Sequence, residues 1–265
     1  MAPTGQAAAP PFVQLAAHPL RWALLTELAR SDLRVRELVA LVGQPQNLVS
    51  YHLRLLRDGG LVTATRSSFD GRDSYYHLDL DRCATALTDA GTALHPALHP
   101  TPRPASPAAP VPPSGRPRAA VLFVCTGNSA RSPIAAALLR HRAGGRVEVA
   151  SAGTQPRQRI HPNVVRVLRE RYGIATVESR PRQLESLADR RFDHLVTLCD
   201  RAREACRHLA GPPSRTHWSI PDPVPAGATD QASYPAFQRT AADIDTRLRH
   251  LMPTLDTDAH QEVRP

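Results

Sequence analysis

The sequence contains no lysine: all 33 basic residues are Arg. With abundant Ala and 26 Pro, this points to a GC-rich coding sequence more than to a physical adaptation. Cysteine is sparse too. The four present (Cys83, Cys125, Cys199 and Cys206) are too few and too scattered for a disulfide framework. In a reducing cytosol such thiols are core residues, metal ligands or chemistry. No apolar run approaches the ~18 residues that span a bilayer, and the opening MAPTGQAAAP lacks the basic-then-apolar order of a signal peptide. The expectation is a cytoplasmic protein with no membrane partner. An apolar content of 42% excludes disorder throughout, and 265 residues allow one large domain or two ordinary ones.

The net charge of +9 is unevenly spread. Residues 1–95 hold nine Arg and nine acidic residues, 96–118 hold three Arg and no acid, and 119–265 hold 21 Arg against 15 acids. A basic balance often signals nucleic acid, but this excess lies in the second half, where a small anion suits it as well. Nine of the 23 residues from Pro96 to Arg118 are Pro. Such a stretch offers too few N–H donors for helix or sheet and favours extended polyproline II. The expected organisation is a domain over 1–95, a Pro-rich linker over 96–118, a second domain over 119–255 and a tail over 256–265. There is no internal repeat.

The first half reads as helices, a hairpin and a last helix. A short helix is expected over 11–17, then an amphipathic one over 20–29 with Trp22, Leu24, Leu25 and Leu28 on adjoining turns. Ser31 or Asp32 can cap the next helix, where Val35, Leu38, Val39 and Val42 keep helical spacing and Gly43 closes it. Pro45 suits the first turn of a further helix running to Asp58, with Leu48, Val49, Leu53, Leu55 and Leu56 on its buried face. Strands over 61–66 and 73–80 flank the turn signal Asp70-Gly71, and a helix over 82–94 follows. Two short helices joined by a tight turn, then a hairpin, make a mainly α winged helix-turn-helix plan. On its second helix Gln46, Asn47, Ser50, Tyr51, His52, Arg54 and Arg57 can address base edges and phosphates. A merely solvated helix face would carry the same residue types. Arg72, beside the hairpin turn, joins them as a DNA-contact candidate.

LAAHPLRWALLTEL, LVSYHLRLLRDGGLV and DSYYHLDL resemble the arsenical-resistance (ArsR-type) winged helix repressors over about residues 12–95. The resemblance implies binding of operator DNA as a homodimer through this domain, and release when a metal or metalloid binds. Members often sense arsenite with a Cys pair on the helix before the turn; here that stretch is RVRELVALVG, without Cys. Cys83 is the only thiol of this half, and one thiol is a poor arsenic site. His95 and His99 have helical metal spacing, but Pro96 and Pro100 follow them, and no metal site is assigned.

In the second half, Val121–Val124 is a short continuous apolar run, as a buried parallel strand requires. Residues 134–142 are helical in pattern, with Pro133 at the first position. Between them lies Cys125-x5-Arg131-Ser132. The bare pattern is weak, since about one residue in eight is Arg; its strand-to-helix setting makes it specific. The N–H groups of Thr126, Gly127, Asn128, Ser129, Ala130 and Arg131 can curl round a tetrahedral oxyanion at a helix N-terminus. Gly127 and Asn128 tolerate unusual backbone angles. Arg131 can give the anion two parallel hydrogen bonds, and both it and the helix favour a thiolate at Cys125, to which Ser132 can donate. The result is a nucleophile in line with bound phosphate or arsenate. A leaving oxygen needs a proton, and Asp222, stiffened by Pro223, suits a general acid; a turn Asp before Pro would look the same.

VLFVCTGNSARS, SAGT at Ser151–Thr154, VTLC, HWSIPDP and YPAFQRTAADI resemble the low-molecular-weight tyrosine phosphatase fold and its offshoot, the thiol-dependent arsenate reductases, over about residues 119–252. The resemblance implies an α/β domain with a four-stranded parallel sheet flanked by helices. VEVASAGT gives its second strand, HLVTLC ends the third, and Thr216-His217-Trp218 lies near the fourth. It also implies that Cys125 attacks, Arg131 binds, Asp222 protonates, and Cys199 and Cys206, in VTLCDRAREACRHL, act as second and third redox thiols. The Arg and Glu around them suggest a half-exposed helix. No bound cofactor or metal is implied; an external dithiol of the thioredoxin class, or a low-molecular-weight thiol system, restores the thiols. Val224-Pro225-Ala226-Gly227 after Asp-Pro is closer to the reductases, whereas Ser132-Pro133 is the phosphatase habit and Ala130 departs from the Cys common to both. The expected chain is a repressor fused to an arsenate reductase. The alternatives are a fusion to a tyrosine phosphatase, with Cys199 and Cys206 idle in the core, or to a non-catalytic oxyanion or arsenite sensor.

Overall fold

A computed structural model describes residues 8–98, 119–175, 180–207, 214–224, 227 and 229–261. The chain divides into two compact units, an N-terminal and a C-terminal one. The stretch expected to be a linker opens with a 3-10 turn at Pro96–Leu98. From residue 99 to 118 it lies outside the described residues, and so does His99.

In the N-terminal unit, α1 (Pro11–Ala16) and α2 (Pro19–Arg30) each carry Pro in the first turn, where no N–H is needed. Leu24, Leu25 and Leu28 of α2 are buried, but Trp22 is 58% exposed. At 3.6 residues per turn Trp22 falls about 110° from the centre of the arc those leucines share, which is why the expected stripe excludes it. Helix α3 (Val35–Val42) starts from Arg34 rather than from Ser31 or Asp32. The Arg34 N–H donates to Glu37 Oε2 at 2.9 Å and closes the first turn. Gly43 ends α3 at φ 63, in the left-handed region that favours glycine. Helix α4 (Gln46–Asp58) follows, with Pro45 as its N-cap rather than inside its first turn. Val49, His52, Leu53 and Leu56 form its buried face; Leu48 is exposed and Leu55 only half-buried.

A two-residue strand, β1 (Leu33–Arg34), joins the wing formed by β2 (Val62–Arg66) and β3 (Ser74–Leu78) in the order β1-β3-β2, all antiparallel. So short a strand exists only through that pairing and leaves no periodic trace in the sequence. Helix α5 (Leu80–Leu94) begins earlier than its pattern suggests, because the Asp79 carboxylate accepts from the Arg82 N–H at 2.9 Å. The unit is a mainly α winged helix-turn-helix.

The C-terminal unit is a parallel sheet of β4 (Ala119–Cys125), β5 (Val147–Gly153), β6 (His194–Thr197) and β7 (Ser214–His217), in the order β5-β4-β6-β7. Around it lie α6 (Arg131–Ala143), α7 (Pro162–Tyr172), α8 (Asp200–Ala205) and α9 (Asp230–Gln261). Helix α6 is buried from Arg131 to Leu139 and packs on β5, α7 and α9. Its alanines let neighbours approach from several sides. It starts three residues before its periodic stretch, so Pro133 is third rather than first in the helix. Helix α9 continues into the stretch expected to be tail.

From β4 the chain steps to β5 on one side and later to β6 on the other. In open α/β sheets the binding crevice forms at the carboxyl ends of the strands, where the order reverses. Cys125 is the last residue of β4 and Cys199 follows β6 by two, with Val124 paired to Thr197. Topology thus delivers both cysteines to the same end of the sheet. Among the described residues no helix is long and apolar enough to cross a membrane.

Candidate active site and nucleic-acid interface

The loop from Cys125 to α6 is bent by Asn128, whose φ of 43 makes it the one non-Gly residue in the left-handed region among those described. Gly127 does not share that conformation, contrary to expectation, and serves space instead. A Cβ there would lie 3.2 Å from Arg157 Cγ and 3.3 Å from Ser129 Oγ. Asn128 is fully buried and held by three bonds. Its Nδ2 donates to Ser132 Oγ at 2.9 Å and Ser151 Oγ at 2.8 Å, and its Oδ1 accepts from the Arg182 N–H at 2.7 Å. Ser132 Oγ stands 3.0 Å from Cys125 Sγ, and its hydroxyl also reaches the Ala152 carbonyl at 3.4 Å, so it is placed to share its proton between the two.

The carbonyls of Cys125, Thr126 and Gly127 accept from the N–H groups of Thr154 (3.2 Å), Gln155 (2.8 Å) and Arg157 (2.9 Å). Because peptide planes are rigid, pinning those carbonyls outward turns the N–H groups of the loop the other way. Gly153 makes this approach possible: a Cβ there would stand 2.7 Å from the Thr126 carbonyl oxygen and 2.9 Å from the Asn128 nitrogen. Neither Gly153 nor Ser151 was a candidate on sequence grounds. The available signal was a Gly closing a strand immediately before a Thr.

Arg131 is buried, and its fork is only partly used. Nη1 donates to the Ile220 carbonyl at 2.9 Å and Nη2 to Asp222 Oδ2 at 3.2 Å, while Nε has no partner. A buried donor left unpaired costs roughly 1–3 kcal/mol, which a bound anion would recover. Burial opposes the charge on Arg131, but the negative charge that Cys199 and Cys125 carry as thiolates, with the Asp222 carboxylate, outweighs it and raises its pKa. The Asp222 side chain is half-exposed at the mouth of the crevice.

Cys199 lies against the same loop, its Sγ 3.3 Å from Thr126 Oγ1. It is the N-cap of α8, and Cys206 is the C-cap. Both are 2% exposed, which corrects the expected half-exposed setting: α8 turns Arg201 outward, leaves Arg203 and Glu204 half-buried, and turns Asp200 and both sulfurs inward. Burial raises the pKa of Cys199 against the pull of Arg131, and lifts that of Cys206 to about 11. The structure therefore brings Cys125, Arg131, Cys199 and Asp222 together around one crevice, with Cys206 at the far end of α8.

Residues 120–261 match the family described as "Low molecular weight phosphotyrosine protein phosphatase". The chain belongs to this family. Residues 18–64 match "Bacterial regulatory protein, arsR family", so a regulator-type domain is fused to the phosphatase-family domain. The arsenate reductase of Halalkalibacterium halodurans is 31% identical over 134 residues, 51% of this chain and 95% of that protein. The arsenate reductase of Bacillus subtilis matches with the same identity and coverage. Of solved structures, the YwlE arginine phosphatase of Geobacillus stearothermophilus covers 56% of this chain and 99% of its own, at 24% identity and a TM-score of 0.46.

In the arsR-family domain, Gln46, Asn47, Ser50, Tyr51, Arg54 and Arg57 are exposed on α4, and Arg72 is exposed beside the wing turn. The Arg54 guanidinium stands 5.7 Å from the centre of the Tyr51 ring. His52 is the exception. It is 4% exposed and packs its ring on His18, with centroids 4.3 Å apart. Burial, then the neighbouring His18 and Arg21, lowers its pKa. His52 falls on the helical stripe of Val49, Leu53 and Leu56, so it belongs to the core and not to a DNA-facing set. Arg34 was not a candidate. It bonds Glu37 of α3 at 2.8 Å and Asp73 of the wing at 3.4 Å, tying the wing to the helix before the turn.

Proposed function

We propose that the chain is an arsenic-responsive, operator-binding repressor fused to a thiol-dependent arsenate reductase. The observation that supports it most directly is the second thiol, Cys199, 3.3 Å from Thr126 on the loop that starts at Cys125. Hydrolysis of a phosphate ester has no use for a buried thiol there. Arsenate binds to the N–H groups of residues 126–131 and to Arg131. Cys125 Sγ attacks arsenic, an S–As bond forms, and an As–O bond breaks as Asp222 supplies the proton with which the oxygen leaves as water. The Cys199 thiolate then attacks Cys125 Sγ. The S–As electron pair stays on arsenic, which departs as arsenite, and two thiols have become the Cys125–Cys199 disulfide. Cys206 attacks Cys199 and frees Cys125. A cytoplasmic dithiol of the thioredoxin class, or a low-molecular-weight thiol, reduces the final disulfide by exchange. The scheme uses no bound cofactor.

The last internal step carries a structural demand. Cys199 and Cys206 bracket a six-residue helix, so their Cα atoms stand about 10 Å apart along it. A disulfide needs roughly 4.4–6.8 Å. Helix α8 must therefore unwind before Cys206 can reach its target. Cys206→Ala treated with arsenate should stop at Cys125–Cys199, read by mass spectrometry of the alkylated protein; only free thiols would overturn the relay.

On the repressor side, the arsenic thiols are not those of the N-terminal unit. Cys83 is buried, and burial, with help from Asp79, pushes its pKa up to about 11. It is a neutral thiol, alone where trivalent arsenic wants several soft ligands. A fragment of residues 1–98 should bind operator DNA as a homodimer and keep it when arsenite is added, in a gel-shift titration. Release at micromolar arsenite, abolished by Cys83→Ser, would place the sensor in this unit.

A further inference from the structure

Both ends of α8 are held from one face of the edge strand β7. Residues 215, 217 and 219 alternate along that strand and the turn after it, so their side chains share a face. At the N-terminal end, the buried carboxylate of Asp200, first residue of α8, accepts from Ser219 Oγ at 2.8 Å and lies 3.1 Å from His217 Nε2. The other ring nitrogen of His217 is 2.9 Å from Thr197 Oγ1, so the imidazole is fixed from behind by β6. At the C-terminal end, Arg215 Nη1 donates to the Cys206 carbonyl at 2.9 Å. The Asp200 and His217 side chains are 2% and 3% exposed. Burial alone would raise the pKa of Asp200, but the bonds from His217 and Ser219 hold it well below the usual carboxylate range. A six-residue helix is far too short to be stable by itself. Its winding therefore depends on tertiary contacts, these bonds and the burial of Ala202 among them, and the two cysteines sit at its ends.

We propose that Asp200, with its partners His217, Ser219 and Arg215, latches the relay helix. These positioning residues keep α8 wound while Cys125 and Cys199 react, and their release sets how fast Cys206 reaches Cys199. The role rests on the reductase reading. The latch itself belongs to the reduced chain without arsenate and can be measured there.

The test uses the full chain, reduced, with Asp200→Asn, His217→Gln and the double variant. Each is labelled with iodoacetamide, and the Cys206 adduct is followed by peptide mass spectrometry. Removing one partner of a buried pair leaves the other uncompensated, so either single variant should label Cys206 about tenfold faster or more. The double variant should label no faster than the faster single, because both break the same pair. Ser219→Ala, which removes one hydrogen bond to the carboxylate and leaves the Asp200–His217 pair in place, should give a smaller acceleration in the same direction and keeps the test open if the stronger variants misfold. After arsenate and an acid quench, early samples of Asp200→Asn should show the ratio of Cys199–Cys206 to Cys125–Cys199 disulfide raised by a similar factor. Leu168→Ala truncates the core at α7 of the same unit, where Leu168 is fully buried, and reports loosening of the whole domain. If it speeds Cys206 labelling as much at an equal fall in Tm, the latch is overturned. Unchanged labelling in the Asp200 and His217 variants overturns it too. Faster labelling with no disulfide formed under arsenate, in any variant or the parent, keeps the latch and overturns the reductase reading instead.

Discussion

Cys199→Ser should lower arsenate turnover by at least about three orders of magnitude while leaving phosphate affinity within about twofold. A serine hydroxyl is not ionised at neutral pH and cannot take part in a disulfide, so the Cys125–arsenic adduct would have no internal exit. The hydroxyl can still bond Thr126 Oγ1, which Cys199 Sγ meets at 3.3 Å. The anion cradle depends instead on Asn128, Gly153 and Arg131. Turnover is read by thioredoxin-coupled NADPH oxidation, and affinity by calorimetry with inorganic phosphate. A rate above about a hundredth of the parent's would mean that another thiol resolves the adduct. Equal phosphate affinity with no turnover even in the parent would favour a binding-only domain.

The loop was legible because its signals are local. An apolar run, then Cys125, then Gly127-Asn128, then Arg131 and Pro133 mark a strand, a tight loop and a helix start in one stretch of sequence. What lay outside local reach depended on partners far along the chain. Gly153 matters because the loop backbone rests on it, and only the pairing of Cys125 with Gly153 across β4 and β5 brings them together. Likewise Cys199 meets Thr126 because β6 lies beside β4, an order that strand patterns alone do not give. The inward turn of His52 was hidden by residue type: a polar name on a stripe already marked by Val49, Leu53 and Leu56. Arg34 replaced Ser31 and Asp32 as the helix start because Glu37 reaches back to its N–H, a side-chain choice that competes on equal terms with theirs in the sequence. The burial of Cys199 and Cys206 was masked in the same way by the Arg and Glu between them.

Arg131→Lys should cost about 10²–10⁴ in kcat/KM for arsenate although the charge is kept. An ammonium group is a point charge, whereas the guanidinium offers a planar fork of donors. Two charge-assisted hydrogen bonds to the anion are worth roughly 1.5–3 kcal/mol each, and at about 1.4 kcal/mol per factor of ten their loss gives that range. The damage should divide between binding and chemistry. Phosphate affinity should fall by about a hundredfold, because the unpartnered Nε and the fork can no longer meet the oxyanion. The remainder should appear in kcat, because Arg131 also fixes the acid-bearing loop through the Ile220 carbonyl and Asp222. Lysine cannot reach both, so the proton donor loses its position. Steady-state kinetics with calorimetry on the same protein separates the two parts. An affinity loss below about fivefold would mean that Arg131 only shapes the crevice. The anion would then be held by Arg157 or Arg201, the other guanidiniums that line it.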